Sequence, residues 1–318
     1  MIGLARIAER GPLIAAVLAA ILLLSALWLP ALMQAGGSPF MLILASFASM
    51  LCLIASAAVV AFVALRHGEM SALRVVGACL ILLIVVSIVL YQSPVHVPLI
   101  ATVFWLPAIV AALVLARTVK LDYAVLAIAV CGVIAVSGLT VVTGDTTEFW
   151  RSQFTASSAV AMEQAGSSAA LSEEQQEAFI DAMARMMTGA LGVSVMSIAL
   201  GALFLARSWQ ATLFNPGGFQ KEFHALSLGR KAALVCMVVM ISAIVTGGQL
   251  ASAIAMVVIF VFFIQGLAVT HALVRQRGMH RYWLHGVYVL LLLPHTLLLL
   301  AALGLADNLF SLRRTTND

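Results

Sequence analysis

Residues 39–65 read PFMLILASFASMLCLIASAAVVAFVAL and contain no charged side chain. A helix needs about 20 apolar residues to cross the hydrocarbon core of a membrane. Apolar runs recur at 12–33, 39–65, 75–91, 97–116, 123–143, 190–206, 232–245, 250–274 and 286–306. Because each run is continuously apolar and does not alternate, the runs predict membrane-spanning helices and not the strands of a barrel.

The composition agrees with this interpretation. Apolar residues make up 63% of the 318 residues and charged residues 9%, whereas a soluble domain carries about 25% charged residues. A water-soluble fold is therefore excluded. We predict an all-α fold, a polytopic transmembrane helix bundle of about nine spans, with eight to ten still open. Gly247 and Gly248 follow the short seventh run and indicate either an interrupted helix or a plain turn between two spans.

Three regions follow one another along the chain. Residues 1–143 hold spans one to five, residues 144–189 form an acidic external insert, and residues 190–318 hold spans six to nine with an amphipathic cytoplasmic loop at 208–230. The basic start and the first apolar run resemble a signal peptide. No cleavage pattern follows them, so we expect the first run to remain in the protein as a span.

The cationic side chains indicate an orientation. With a cytoplasmic N-terminus, thirteen of the 17 Lys and Arg residues face inward, as the positive-inside rule requires. The other four are Arg151, Arg185, Arg313 and Arg314. An even number of spans would bring the last two inside. We predict a multi-pass protein of the bacterial inner membrane that contacts membrane lipids, and the net charge of +4 gives no indication of a nucleic-acid partner.

The external insert is expected to hold two helices. Asp145 with Glu148, and Ser172 with Gln175, have the spacing of capping boxes, and residues 166–168 read as the turn between the helices. The apolar face of the second helix consists of Phe179, Met183, Met186 and Met187. We expect that face to pack onto the span that follows. The insert is either a small cap over the bundle or a lid or partner-docking surface.

The cytoplasmic loop is the most distinctive stretch. Asn215, Pro216, Gly217 and Gly218 predict a turn. After it, Phe219, Phe223 and Leu226 recur at helical spacing among polar residues, up to Gly229. The pattern predicts an interfacial helix, which acts as an anchor at the lipid headgroups or as a coupling helix for a cytoplasmic partner. For coupling, the candidate residues are Asn215, Gly217, Gly218, Phe219 and Phe223.

Many spans around one acidic insert, with NPGGFQKEFHALSLGR at 215–230, resemble the YybS-like family of bacterial polytopic membrane proteins. That family is in turn similar to the substrate-binding S components of energy-coupling-factor vitamin transporters. The resemblance implies a membrane-embedded role in binding or transporting small molecules. It also implies contact with a coupling subunit through an Ala-x-x-x-Ala pattern, which Ala15 and Ala19 match.

Few polar groups are expected within the spans. The acidic residues lie in loops or at span ends, and His295, next to Pro294, is expected near the middle of the last span. The candidate ligand-binding residues are Thr102, Trp105, Gln265, Thr270, His295 and Thr296. Each is alternatively a structural group that bonds a neighbouring helix.

No catalytic signature accompanies these residues. The sequence lacks HExxH, GxSxG and P-loop motifs, and its four cysteines lie in apolar runs without a CxxC pair. We therefore expect neither an enzyme nor a metal or other cofactor. The leading hypothesis is a membrane protein that binds or transports a small, largely uncharged or apolar molecule. The alternative is a scaffold or accessory protein of envelope biogenesis that transports nothing.

Overall fold

The computed structural model describes residues 2–34, 38–165 and 172–313. Within these ranges the chain is helical between short turns, which confirms the all-α prediction. The helices are α1 (Ile2–Ala8), α2 (Pro12–Gln34), α3 (Pro39–Tyr91), α4 (His96–Thr118), α5 (Leu121–Thr143), α6 (Thr146–Ala165), α7 (Glu173–Phe214), α8 (Gly218–Ala225), α9 (Gly229–Thr246), α10 (Gln249–Gln276), α11 (Tyr282–Leu290) and α12 (Pro294–Phe310). Among the described residues, seven helices are long and apolar enough to cross a membrane, or eight if the bent pair α11–α12 is one span.

Helix α3 is a hairpin of two helical segments. Gly68 has a φ of 77°, a left-handed torsion that glycine adopts without strain. Ser56 Oγ donates to the carbonyl of Ala19 at 2.7 Å, and Cys79 Sγ donates to the carbonyl of Ala16 at 3.0 Å. A straight helix would separate Ser56 from Cys79 by about 34 Å, yet both contact the same turn of α2. Helix α3 therefore folds back at Gly68 and supplies two apolar segments. Among the described residues this gives eight candidate spans, or nine if the bent pair α11–α12 is one span.

The chain divides into two compact units, and the first comprises residues 1–128 and 195–226. In this unit α2 packs along α3, and α3 packs against α4. Ser56 joins the three helices, since its hydroxyl also accepts a hydrogen bond from Trp105 Nε1 at 3.1 Å. Ala15 and Ala19 are 0% exposed. Their small side chains allow the close approach of α2 and α3.

The second unit comprises residues 129–194 and 227–318, and in it α10 packs against α9 and α12. Gly266 lies against the carbonyl of Leu300, and Gly304 lies against the carbonyl of Phe262. Asp307 and Asn308 of α12 also contact Gln265, so residues 300–308 of α12 all lie against residues 262–266 of α10, where the two helices cross. Their backbones touch at this crossing, which only glycine permits.

The last apolar run is not the single straight span that the sequence predicts. Helices α11 and α12 meet at an angle of 118°. Pro294 is the first residue of α12. Proline has no N–H to donate, and its ring clashes with the preceding turn of a helix. A proline here therefore favours a break after α11, whereas Pro107 lies within the continuous helix α4. The prediction of one helix over 286–306 was wrong for this reason.

Both predicted N-caps of the insert are present, and Ser172 with Gln175 forms the complete capping box. Asp145 Oδ1 accepts hydrogen bonds from the backbone N–H groups of Thr147 and Glu148 at 2.9 and 3.1 Å. Ser172 and Gln175 bond each other's backbone N–H groups through their side chains at 3.3 and 3.2 Å. Helices α6 and α7 begin at these caps. The turn predicted at 166–168 lies outside the described residues.

The second helix of the insert differs from the expectation. It continues without a break into the sixth apolar run, and together they form the 42-residue helix α7. A helix cannot fold back onto its own continuation, so the expected packing of its apolar face was wrong. Phe179 is 57% exposed and Met186 is 53% exposed.

The break at Gly247 is a plain turn between two helices. The N–H of Gly247 bonds the carbonyl of Ala243 at 3.0 Å, with a left-handed φ of 58°, and α10 begins two residues later. The structure thus decides between the two interpretations of this segment. The interrupted helix lies instead at α11–α12.

Substitution of Gly266 tests the backbone crossing. A Cβ atom at this position would overlap the carbonyl of Leu300, so Gly266→Ala must push α12 away from α10. We expect it to lower stability by about 1–3 kcal/mol, measured as a lower unfolding temperature in detergent. The matched control is Gly286→Ala in α11, where nothing lies within 4 Å of the added atom. An unfolding temperature equal for both variants would contradict the crossing.

Candidate functional site

A buried polar cluster lies where α9, α10 and α12 meet in the second unit. At its centre is Gln265, which is 0% exposed. Its Oε1 accepts hydrogen bonds from the backbone N–H of Leu228 at 3.0 Å and from Asn308 Nδ2 at 2.8 Å, and its Nε2 donates to Asp307 Oδ2 at 3.3 Å. One amide side chain thus joins the start of α9 to α10 and α12.

The cluster also contains an ion pair. Arg313 donates to both carboxylate oxygens of Asp307, from Nε to Oδ1 at 3.2 Å and from Nη2 to Oδ2 at 2.6 Å. The side chains of this pair are 13% and 3% exposed. Asn308 Oδ1 accepts from Ser227 Oγ at 3.1 Å and from the N–H of Gly229 at 3.0 Å. The cluster therefore carries balanced charge, and its polar groups bond one another.

Asp307 lies in the last turn of α12, at a span end as the sequence predicts, and it is buried there. The position of His295 corrects an expectation from the sequence. We expected His295 near the middle of a span, but it is exposed at the start of α12. The signal for the cluster is present in the sequence, because Asp307 and Asn308 directly follow an apolar run and Arg313 follows one to two turns later.

The other predicted ligand residues lie apart. In the first unit, Thr102 Oγ1 donates to the carbonyl of Pro98 at 2.8 Å. The indole N–H of Trp105 donates to Ser56 Oγ and is therefore not available to a ligand. In the second unit, Thr270 Oγ1 donates to the carbonyl of Gly266 at 2.9 Å. Thr296 is half-buried, and its backbone N–H bonds the carbonyl of Leu293 at 3.0 Å. Of the predicted set, Gln265 alone belongs to the cluster described above.

The predicted cytoplasmic helix is present as α8, and it packs on its own chain. The rings of Phe219 and Phe223 each lie 5.6 Å from the ring of Phe204 on α7. Glu222 Oε2 accepts from Arg207 Nε at 2.8 Å, beside a pocket of about 160 Å³. The apolar face of α8 is therefore at least partly covered by α7.

The structure also shows the turn before α8 and the environment of the alanine pattern of α2. Gly218 donates its N–H to the carbonyl of Asn215 at 3.0 Å, and Gly217 has a φ of 82°, so the predicted turn is confirmed. Ala15 and Ala19 are fully buried, and the carbonyl of Ala19 accepts the hydroxyl of Ser56 on α3. Contact of this alanine pattern with another subunit would require the helices that cover it to move.

At the other end of α10, within the same unit, a smaller polar group joins the start of α6 to the start of α10. Gln249 Nε2 donates to Asp145 Oδ1 at 3.1 Å, and Thr146 Oγ1 donates to Gln249 Oε1 at 3.0 Å. The backbone N–H of Glu148 and the Gln249 amide lower the pKa of Asp145 below its ordinary value. The ionised cap therefore stabilises this junction above the ordinary carboxyl pKa and loses that effect as the pH falls through the lowered value.

Comparison with known proteins identifies the family of this chain. The family described as a predicted membrane protein, DUF2232, matches residues 40–308, which is 269 of the 318 residues. The chain belongs to this family. No curated protein and no solved structure matches it. It is a membrane protein with several apolar helices, and a protein of this kind contacts lipids.

The charge balance of the cluster can be tested by removing one partner. Arg313→Gln leaves the buried Asp307 carboxylate without its counter-ion, and we expect a loss of about 3–5 kcal/mol in stability. The double variant Asp307→Asn with Arg313→Gln should recover part of this loss, because no unpaired charge then stays buried. Unfolding temperatures in detergent give the comparison.

The matched control for this series is Arg277→Gln, since Arg277 is an exposed arginine of the same unit. It should leave the unfolding temperature almost unchanged. If Arg313→Gln also leaves it unchanged, the ion pair does not hold the cluster together.

Proposed function

We propose that this membrane protein binds, or carries across the membrane, a small molecule that is largely uncharged or apolar, as a substrate-binding component of a transport system. The observation that carries the proposal is the discontinuous pair α11–α12, bent by 118° at residues 291–293. Broken helices in membrane transporters free backbone groups for substrate and lie at the substrate site. The sequence resemblance to the YybS-like family, which is in turn similar to S components, implies the same role.

The chemistry of this pair favours an uncharged ligand. Residues 282–306 contain no Asp, Glu, Lys or Arg, and His295 and Thr296 supply the polar groups at the start of α12. Around them Leu292 and Leu293 are exposed. Two polar side chains among leucines suit a ligand that is mostly apolar and makes one or two hydrogen bonds.

We also propose that the protein lies in the bacterial inner membrane with its N-terminus in the cytoplasm. In support, cations assigned to the inner side gather at one end of the first unit. Arg117 pairs with Glu69 beside the tip of the α3 hairpin, and Arg66 lies near Glu9 and above the ring of Phe214 at 4.2 Å from its centroid. The positive-inside rule places such an end in the cytoplasm.

Ligand binding can be measured as thermal stabilisation of the purified protein. We expect at least one compound from a panel of uncharged vitamins and medium-chain alcohols to raise the unfolding temperature, since a ligand that binds only the folded state stabilises it. His295→Ala should remove most of this shift. The control His285→Ala changes an exposed histidine of α11 and should keep it.

Two outcomes would contradict the proposal. One is a panel in which no compound shifts the unfolding temperature, which would favour a scaffold without a ligand. The other is an equal loss of the shift in His285→Ala and His295→Ala, which would place the ligand away from the start of α12.

The orientation predicts opposite labelling of two engineered cysteines. Asn215→Cys in the turn before α8 should react only with reagents that reach the cytoplasm, and Glu174→Cys at the start of α7 should react from the periplasm. The unsubstituted chain gives the background, because its four cysteines lie within apolar helices. Labelling of both positions from the same side would overturn the assignment.

A further inference from the structure

A second candidate site lies in the first unit, at the tip of the α3 hairpin. A pocket of about 170 Å³ opens there between the turn that joins α1 to α2 and the turn of α3 at Gly68. Its lining includes Glu9, Gly11, Pro12, His67, Ser71 and Arg74. The pocket has room for several water molecules, and therefore for one tetrahedral oxyanion.

The depth of the pocket follows from the helices that form it. Apolar helix α2 begins at Pro12, the first segment of α3 ends at His67, and the second segment begins just after Gly68. All three apolar segments thus start or stop around this pocket. In a membrane protein, the ends of spans lie at the level of the lipid headgroups. The pocket is therefore at the membrane surface and not in the hydrocarbon.

The pocket has an excess of positive charge. Its carboxylate, Glu9, already has a counter-ion, because Arg66 Nε lies 3.8 Å from Glu9 Oε1. That leaves the guanidinium of Arg74 as uncompensated charge. The backbone N–H groups at the start of the 23-residue helix α2 add the positive end of the helix dipole.

The polar groups of the pocket are also free to bind. Ser71 and Arg74 are three residues apart on α3, so they lie on one face of the helix, with His67 across the Gly68 turn. None of these three side chains makes a hydrogen bond or ion pair with another described residue. A hydroxyl, an imidazole and a guanidinium around one cavity supply the donors that a phosphate group requires.

We propose that this pocket binds a phosphate group, with Arg74 as the main ligand and Ser71 and His67 as additional donors. Its place at the span ends favours the phosphate of an anionic phospholipid headgroup. Inorganic phosphate offers the same chemistry from solution. The site lies in the first unit, whereas the proposed function rests on α11–α12 of the second unit, so either proposal can fail without the other.

The test compares the full-length chain with Arg74→Gln and with Arg10→Gln. Arg10 is an exposed arginine of the α1–α2 turn that does not line the pocket, so both variants remove the same charge from the same region. Native mass spectrometry of the detergent-purified protein, mixed with phosphatidylglycerol and phosphatidylcholine, measures the retained lipid. A parallel thermal-shift series with inorganic phosphate against chloride measures binding of the free ion.

We expect the unsubstituted chain and Arg10→Gln to retain phosphatidylglycerol over phosphatidylcholine, and Arg74→Gln to lose about tenfold of that preference, as the loss of one charge-assisted hydrogen bond implies. Ser71→Ala should lose less, in the same direction, at an unchanged unfolding temperature. A shift with phosphate but no lipid preference, again lost in Arg74→Gln alone, supports the site with a soluble phosphate as its ligand.

Two results would overturn the proposal. Equal losses in Arg74→Gln and Arg10→Gln would show attraction by the general charge of this surface and not by the pocket. The absence of both a preference for phosphatidylglycerol and a shift with phosphate would show that the pocket binds no phosphate group.

Discussion

The fold depends on the backbone hydrogen bond in a medium without water. Inside a bilayer an unpaired N–H or C=O group has no solvent partner, so each apolar run must satisfy its own backbone as a helix. Side chains follow the same constraint. Thr102, Thr140 and Thr270 each donate a hydroxyl to the carbonyl one turn earlier in their own helix. Polar side chains without a partner in their own helix must form hydrogen bonds with a neighbouring helix. These interhelical hydrogen bonds determine which helices pack together in each unit.

Burial of apolar surface gives little attraction between helices in lipid, because the lipid tails are apolar too. Attraction between the helices must therefore come from close packing and from a few interhelical hydrogen bonds. Each unit contains both kinds of interaction. In the first, Ala15 and Ala19 bring α2 onto α3, and Ser56 joins three helices. In the second, Gly266 brings the backbones of α10 and α12 together, and Gln265 joins α10 to two neighbours.

Hydropathy and charge predict much of this architecture because they act locally. Neighbouring residues predicted the apolar helices, the turn at 215–218 and the helix after it. They also predicted the N-caps at Asp145 and Ser172. What the sequence could not supply were pairings over long distances. Gln265 was recognised as a buried polar group, but its partner Asp307 lies 42 residues away. The bend at Pro294 was not predicted because the sequence is equally apolar on both sides of it. Hydropathy shows that a segment is apolar, but it does not show in which direction the helix axis runs.

Hydrogen-bond partners separate the structural polar groups from those available for recognition. In the Gln265 cluster the ion pair between Arg313 and Asp307 is bidentate. The amide oxygens of Gln265 and Asn308 both accept hydrogen bonds from the protein itself. A ligand there would have to displace bonds that hold α9 and α12 in place. At the α3 hairpin, Arg74 and Ser71 have no such partner in the part of the chain that the structure describes, so a ligand would gain their hydrogen bonds without breaking any of these. The cluster with more polar atoms is therefore the one that maintains the fold, and the emptier pocket is the better place for an anion.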